Sequence, residues 1–415
     1  MTPVQPARAR RAPSRATAAG LGLVAFAAIV YWFSARGFDS GRQDFFYLAD
    51  AFLHGRTWLA TPPGPFDVIA GGDGRWYVPF APFPAIAFMP LVAVIGPQTA
   101  DNMESAINAA LAAGTVGLCW MLTGRLGIAR LADRSWIVLL FGFSTVLWWV
   151  TTRGGVWHSG QLIATLLTLG CLVELWGRQR AILVGLMAGA AFLTRAPLAL
   201  AVPFYMLLLH PSSPTAAADV AGGRVRTALA RWPIRQWLTL GAATLPAIGF
   251  FFWYNAVRFG DPGESGYALA SLPGWLAERR DQGLFSVAHL GMNLELLFLH
   301  PPMPIPEFPY FKPSGLGMSV LLTSPGLLLA VRAPWRSPRT WWLLGAAVLV
   351  LVPTLLYYGG GWLQYGYRYF LDSIPFVVAL AGLAVARHGL GWIGAGLILF
   401  GVLVNLGGVY WVARV

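Results

Sequence analysis

The stretch "GLGLVAFAAIVYWFSARGFDSGRQDFFYLADAF", residues 20–52, runs from an uncharged apolar segment straight into one carrying Asp39, Arg42, Asp44 and Asp50. The apolar part belongs to an uncharged window over 16–35, matching the roughly 20 residues that a bilayer-spanning helix needs. Acids set so close to the membrane surface ask for a chemical reason. Working outward, the 415-residue chain is 57% hydrophobic and only 11% charged, with a mean hydropathy of +0.61. That balance fits a polytopic, all-α membrane protein.

Further uncharged windows cover 105–124, 135–152, 154–173, 236–257, 313–331, 340–367 and 388–413. Two more apolar regions, 181–210 and 369–386, are cut or flanked by charge. With the basic tail "RARRAPSR" (8–15) placed inside, and 181–210 counted as two short helices, the chain makes eleven expected crossings. The inside segments then carry 17 arginines against Asp133, Glu174 and Asp219, and the other face carries 12 basic residues and 14 acids. This asymmetry obeys the positive-inside rule, so the formal charge of +12 reads as topology and not as a nucleic-acid surface.

The competing reading of 8–35 as a cleaved signal peptide fails on the length of its apolar run and the lack of a small-residue cleavage site, so the first helix is expected to stay as an anchor. Cys119 and Cys171 fall inside expected spans, leaving neither a disulfide framework nor a metal cluster. No internal repeat is visible, which weakens a secondary-transporter reading. The expected organisation is a cytoplasmic tail over 1–15, a transmembrane domain over 16–387 and a last transmembrane helix within 388–415.

Three outer segments are too long to be turns: 36–103, 258–312 and 357–369. The first holds an expected surface helix at 43–54, a Pro/Gly-rich stretch "TPPGPFDVIAGGDG" and the apolar "VPFAPFPAIAFMPLVAVIG", 78–96. Counting that last piece as a crossing would put Arg125, Arg130 and Arg134 outside, so it reads as a juxtamembrane or re-entrant helix.

Fourteen residues separate Arg180 from Arg195, about 21 Å of helix against a hydrocarbon core of about 30 Å. Arg195 is therefore expected below the outer surface, at a helix break marked by Pro197. It is a candidate anion ligand, the alternative being an interfacial arginine that snorkels. Asp372 and Arg387 also bracket fourteen residues, so that helix has to begin near Tyr367. Arg368 and Asp372 would then share one face, either neutralising each other or offering a forked phosphate donor steadied by a carboxylate. Tyr357, Tyr358, Trp362, Tyr365, Tyr367 and Tyr369 surround them, mostly as an interfacial aromatic belt, with one or two suited to stacking on a sugar.

Outer acids beside arginines at the outer ends of spans suggest sugar transfer from a phosphate-linked lipid, with a carboxylate deprotonating the attacking hydroxyl. The order of "QDFFYLADAFLHGRTWL" (43–59), "DGRWYVPFAPFPAI" (73–86), "GLMAGAAFLTRAPLALAVPF" (185–204), "WYNAVRFGDPGESGY" (253–267) and "GGWLQYGYRYFLDSIPF" (360–376) resembles the GT-C superfamily of polyprenyl-phosphate-dependent glycosyltransferases. The resemblance covers roughly 30–387 and is greatest to bacterial relatives of the protein O-mannosyltransferases and of the lipid A aminoarabinose transferase.

The resemblance implies a GT-C type fold with juxtamembrane helices in the first outer loop, and inverting transfer from a polyprenyl-phosphate sugar at the outer face of a bacterial plasma membrane. The acceptor would be a glycan, lipid or protein. The resemblance also implies a catalytic acid shortly after the first transmembrane helix, which selects Asp44, with Asp39 second. Many members carry two adjacent acids there, whereas Asp44 is flanked by Gln43 and Phe45. Arg368, Arg195 and Lys312 are the candidate phosphate ligands.

Supporting candidates each have a plainer alternative. Asp73, near Tyr77 in "GGDGRWY", also fits a tight turn. His158, close to Arg153, also fits a hydrogen-bonded structural role, and Arg258 with Asp261 and Glu264 also fits a fixed turn. Tyr365, Tyr367 and Asp372 complete the set. Glu278, Arg279, Arg280 and Asp281 read as a solvated helix face, and Lys312 also fits an ordinary interfacial position. No Asp-x-Asp occurs, so no cofactor is expected and divalent-metal dependence is disfavoured. The competing functions are a lipid-linked sugar transporter or flippase and a catalytically inactive scaffold of the same fold.

Overall fold

The computed structural model describes residues 14–35, 43–61, 69–209, 233–270, 272, 274–308, 310–361 and 364–412. Asp39, Arg42 and Trp362 lie outside the described residues.

Long apolar windows became helices wherever nothing interrupts them. Six described helices are long and apolar enough to cross a membrane: α1 (Arg15–Ala35), α5 (Glu104–Arg125), α8 (Gly155–Leu175), α11 (Ile234–Phe259), α15 (Pro338–Leu356) and α17 (Trp392–Val412). This is the architecture of a multi-pass helical membrane protein. The short elements between them are α2 (Asp44–Leu53), a hairpin of β1 (Ile69–Ala70) and β2 (Trp76–Tyr77), α3 (Phe83–Ile95) and α4 (Pro97–Asn102). At 13 residues α3 is too short to span, in keeping with a juxtamembrane or re-entrant helix.

The window at 135–152 is a bent pair, α6 (Leu131–Phe143) and α7 (Leu147–Arg153), with a 44° bend between them. The bend has a local cause. The Thr145 hydroxyl donates to Phe141 O at 2.7 Å and accepts from Leu147 N–H at 3.3 Å, replacing the main-chain ladder with side-chain bonds. The window at 313–331 is not one helix. It holds α14 (Val320–Thr323) and a 3-10 segment, Pro325–Arg332. Pro325 lacks an N–H and pushes Ser324 to φ −143°, which stops the first helix after four residues. The region 181–210 comprises α9 (Ala181–Phe192), a 3-10 turn over Ala196–Ala201 and α10 (Val202–Leu208).

The remaining elements are α12 (Gly274–Asp281), α13 (Leu290–Phe298), a hairpin of β3 (Met303–Pro304) and β4 (Phe311–Lys312), and α16 (Ile374–His388). One apolar core runs through the bundle. A second, smaller cluster joins α2 and α3 to Val156 and Ile163 of α8, fastening these two short helices to that long one. Cys119 and Cys171 are buried and unbridged.

Helices α9 and α11 meet at glycines spaced four apart. A Cβ on Gly185 would lie 2.4 Å from Leu240 O, and one on Gly189 would lie 2.9 Å from the Ala247 Cβ. Gly185→Val is expected to cost about 1–3 kcal/mol through overpacking. Gly249→Val on α11, where an added Cβ meets nothing within 4 Å, is the matched control. Thermal melting in detergent reads the difference, and equal melting temperatures would refute the close-contact account.

Candidate active site

The site is organised by a broken helix. Helix α9 ends at Phe192, and the freed Leu193 carbonyl accepts the N–H of Phe83 at the start of α3, at 3.0 Å. Arg195 then takes an extended backbone (φ −147°, ψ 107°) as the N-cap of a new 3-10 turn, with Pro197 in the first turn, where its missing N–H costs no bond. The Arg195 Nε donates to Asp372 Oδ2 at 2.6 Å, with the Asp372 side chain 1% exposed and that of Arg195 17%.

Asp372 closes a 3-10 turn over Arg368–Asp372 that leads into α16. Three residues per turn put positions four apart on different faces, so the shared helical face expected for Arg368 and Asp372 is corrected, although the Arg368 charge still acts on Asp372. Asp372 turns instead to Arg195, 177 residues away in sequence. Its other oxygen, Oδ1, is buried with no hydrogen-bond partner among the described residues.

Tyr369 links the two arginines. The guanidinium carbon of Arg195 lies 5.5 Å from the centre of its ring and that of Arg368 4.9 Å from it, both within cation–π range. Arg368 is itself buried and lies 5.2 Å from the centre of the Trp157 ring. Its main chain is pinned at both ends: its N–H donates to Gln364 Oε1 at 3.1 Å, and its carbonyl accepts Gln161 Nε2 at 2.8 Å. Two guanidiniums held on one aromatic platform are a geometry suited to a phosphate.

Asp44 opens α2 and is 1% exposed, so its carboxylate sits at the positive end of the helix dipole. Gln43, just before it, donates to Glu104 Oε1 at 2.5 Å and to Ser159 Oγ at 2.7 Å, and Ser159 donates to Asn108 Oδ1 at 2.9 Å. Helix α8 is the shared support. Trp157 and Gln161 take Arg368 on one face, while Val156 and Ser159 take the α2 side on the neighbouring face. From Trp157 to Gln161 is about 6 Å of helix, so Arg368 and Gln43, the residue before Asp44, are held by the same two turns.

Glu104 escaped the sequence reading because it stands one residue outside an apolar window and in no motif. Buried at the start of α5, it also accepts the N–H of Gly155. Gly154 leaves room for it: φ is +59° there, and a Cβ would fall on the Glu104 carboxylate. Glu104→Ala is expected to displace Gln43 and Asp44 and to lower any turnover at this site by about 100-fold, the scale of a 1 Å misplacement. Unchanged turnover, with the variant folded, would remove Glu104 from the site.

No protein-family model matches the chain, and no curated protein matches it. Among solved structures, the crystal structure of the apo oligosaccharyltransferase of Archaeoglobus fulgidus is similar to it at a TM-score of 0.45 and 13% identity. The match covers 95% of this chain and 55% of that one, so the chain spans about half the length of the archaeal protein. Similarity at this level transfers no chemistry.

The other candidates fall around this centre with structural partners. Asp73 sits at the tip of the β1–β2 hairpin, paired with Arg75 Nε at 2.9 Å and half exposed, as a turn residue. Tyr77 packs 5.5 Å from Phe259. Arg153 lies 5.9 Å from the Trp149 ring, and the buried His158 bonds to Gly154 O through Nδ1. Arg258 is a buried clamp. It donates to Val78 O at 2.6 Å and Asn255 Oδ1 at 2.8 Å, while Asp261 and Glu264 cap the N–H groups of Gly263 and Gly266. Tyr365 bonds to Val404 O, and Tyr367 reaches Thr354 O at 3.5 Å. Lys312 lies over Trp411, 5.8 Å from its ring.

The expected solvated face on α12 holds for Glu278 and Asp281, which are exposed, and needs correction for the two arginines. Arg279 donates to Tyr358 O at 2.6 Å and contacts Met292 Sδ at 2.7 Å, and Arg280 donates to Ala270 O at 2.5 Å. The bond to Tyr358 ties α12 to the segment that follows α15, and burial lowers the Arg279 pKa from its usual value. Among the described residues no three His, Cys, Asp or Glu side chains gather closely enough to hold a metal ion.

Proposed function

We propose that this protein is a GT-C type membrane glycosyltransferase, taking a sugar from a polyprenyl-phosphate donor and passing it to an acceptor hydroxyl at the outer face of a bacterial plasma membrane. The observation that carries the reading is the pair Arg195 and Arg368 on the Tyr369 ring, with Arg368 held by the same turns of α8 that hold Gln43, the residue before Asp44. In this reading the two guanidiniums bind the donor phosphate. Asp372 holds Arg195, and its second oxygen accepts a sugar hydroxyl.

The acceptor oxygen attacks the anomeric carbon from the face opposite the phosphate, with inversion. As the new C–O bond forms, the bond from that carbon to the phosphate oxygen breaks, and its electron pair leaves with polyprenyl phosphate. The acceptor proton passes to Asp44. The arginines stabilise the charge that grows on the leaving phosphate, an electrostatic contribution that counts for most in a water-poor site.

Membranes containing the protein, supplied with a panel of radiolabelled polyprenyl-phosphate sugars, should move label to an acceptor with at least one donor. Donor binding without transfer from any of them would favour a transporter or an inactive scaffold.

A further inference from the structure

A second cationic, aromatic feature lies at the other end of α2. Its last turn, the start of the following loop, α3 and α11 enclose an open cavity of about 290 Å³, lined by Phe52, Ile86, Met89, Phe250 and Trp253, with Arg56 at its edge. That volume is near the lower bound of small-ligand sites, roughly 300 Å³. Trp253 is 51% exposed and its neighbours Phe252, Leu245 and Val257 are exposed as well, so this side of α11 faces the bilayer and the cavity opens toward lipid.

Arg56 is fixed in place. Gly55 adopts φ +70° to end α2, and the Arg56 N–H returns to Ala51 O at 2.8 Å. Its guanidinium is not used up by the protein. Asp50 Oδ2 lies 3.9 Å from Nη2, beyond hydrogen-bond reach, and Nε is buried with no hydrogen-bond partner among the described residues. Arg56 and Arg75 flank the Trp58 ring at 5.4 and 5.1 Å. Arg75 is neutralised by Asp73, so Arg56 carries the open donor.

We propose that this cavity binds one anionic phospholipid, its phosphate on the Arg56 guanidinium and the upper part of one acyl chain against Phe52, Met89 and Phe250. An apolar slot open to the bilayer, with a single arginine at its mouth, has the charge and polarity order of such a lipid. None of the residues lining this cavity belongs to the Arg195–Arg368 site: Arg195, Arg368, Tyr369 and Asp372 are absent from its wall. The inference does not depend on the transferase reading.

The test uses the full chain in phosphatidylcholine nanodiscs carrying a trace of lipid with a photoreactive acyl chain, either phosphatidic acid or phosphatidylcholine. Mass spectrometry of crosslinked peptides should show at least fivefold more labelling of 52–57, 86–89 and 250–253 with the phosphatidic acid probe. Arg56→Gln and Met89→Trp should each reduce it to the phosphatidylcholine level, with Ile86→Trp as the second groove-filling variant if Met89→Trp does not fold. The double variant Arg195→Met, Asp372→Leu, which removes the buried pair whole, should leave it unchanged. Equal labelling by both probes would mean ordinary bilayer contact, and loss in that double variant alone would assign the groove to a lipid held by the other site. Either result overturns the proposal. A preparation inactive with every sugar donor would still give the same labelling, so failure of the transferase reading is separable.

Discussion

Asp44→Asn is expected to lower sugar transfer by about 10²–10⁴-fold, the range contributed by a positioned general base, while expression and donor binding stay near wild type. The substitution keeps the shape of a side chain that is 1% exposed at the first position of α2, and removes the ability to take a proton. The packing of Phe45, Phe46 and Leu48 should not register the change, because those residues and not the carboxylate join α2 to its cluster. A transfer assay on membranes, paired with donor binding, separates chemistry from folding. Asp73→Asn serves as the internal contrast. That carboxylate is half exposed at a hairpin tip and bonded to Arg75, so its loss should leave turnover unchanged. Full turnover by the Asp44 variant would move the base to another acid, Asp39 first.

The second large effect is expected at the Arg195–Asp372 pair. Removing one partner of a buried ion pair typically costs about 3–5 kcal/mol because the other charge stays buried and uncompensated. Asp372→Ala should therefore melt well below wild type and bind donor poorly. The double variant Arg195→Met, Asp372→Leu separates the two roles. Replacing a whole buried pair by apolar residues is often neutral or stabilising by about 1–4 kcal/mol, so its melting temperature should recover while its donor affinity should not. A double variant that binds donor like wild type would show that Arg195 is purely structural and would leave Arg368 alone on Tyr369.

The two effects read different properties of one constellation. Asp44 is tested through a proton, and Arg195 through the binding of a charge. Their common dependence on α8 has a consequence: Gln161 holds the Arg368 carbonyl and Ser159 holds Gln43, so a disturbance of these two turns should weaken both functions together.

Much of the frame could be read from residue order. The cost of exposing main-chain polar groups to hydrocarbon makes an uncharged run of about 20 residues helical whatever surrounds it, and the windows at 16–35, 105–124 and 236–257 lie within long helices, while that at 154–173 overruns its helix only at Gly154. The surface helix expected at 43–54 is Asp44–Leu53, and the break expected at Arg195 is there. Proline and charge act through nearest neighbours, so both signals are written locally. The same local rules fell short at 135–152 and 313–331. In the first, two hydroxyl side-chain bonds at Thr145 replace the ladder, and in the second, Pro325 cuts a run that hydropathy alone reads as continuous.

Partners were a different matter. That Asp372 would choose Arg195 over its near neighbour Arg368 depends on a 3-10 turn rotating it away and on a broken helix 177 residues earlier delivering a guanidinium to it. Glu104 beneath Gln43, and Arg279 bridging α12 to Tyr358, are likewise long-range choices with no spacing signature. Hydropathy and proline act over a few residues and fix where helices begin, bend and end. A buried charge is satisfied only by whatever the packed bundle brings within about 3 Å, so the pairing of these acids and arginines was decided by the tertiary structure.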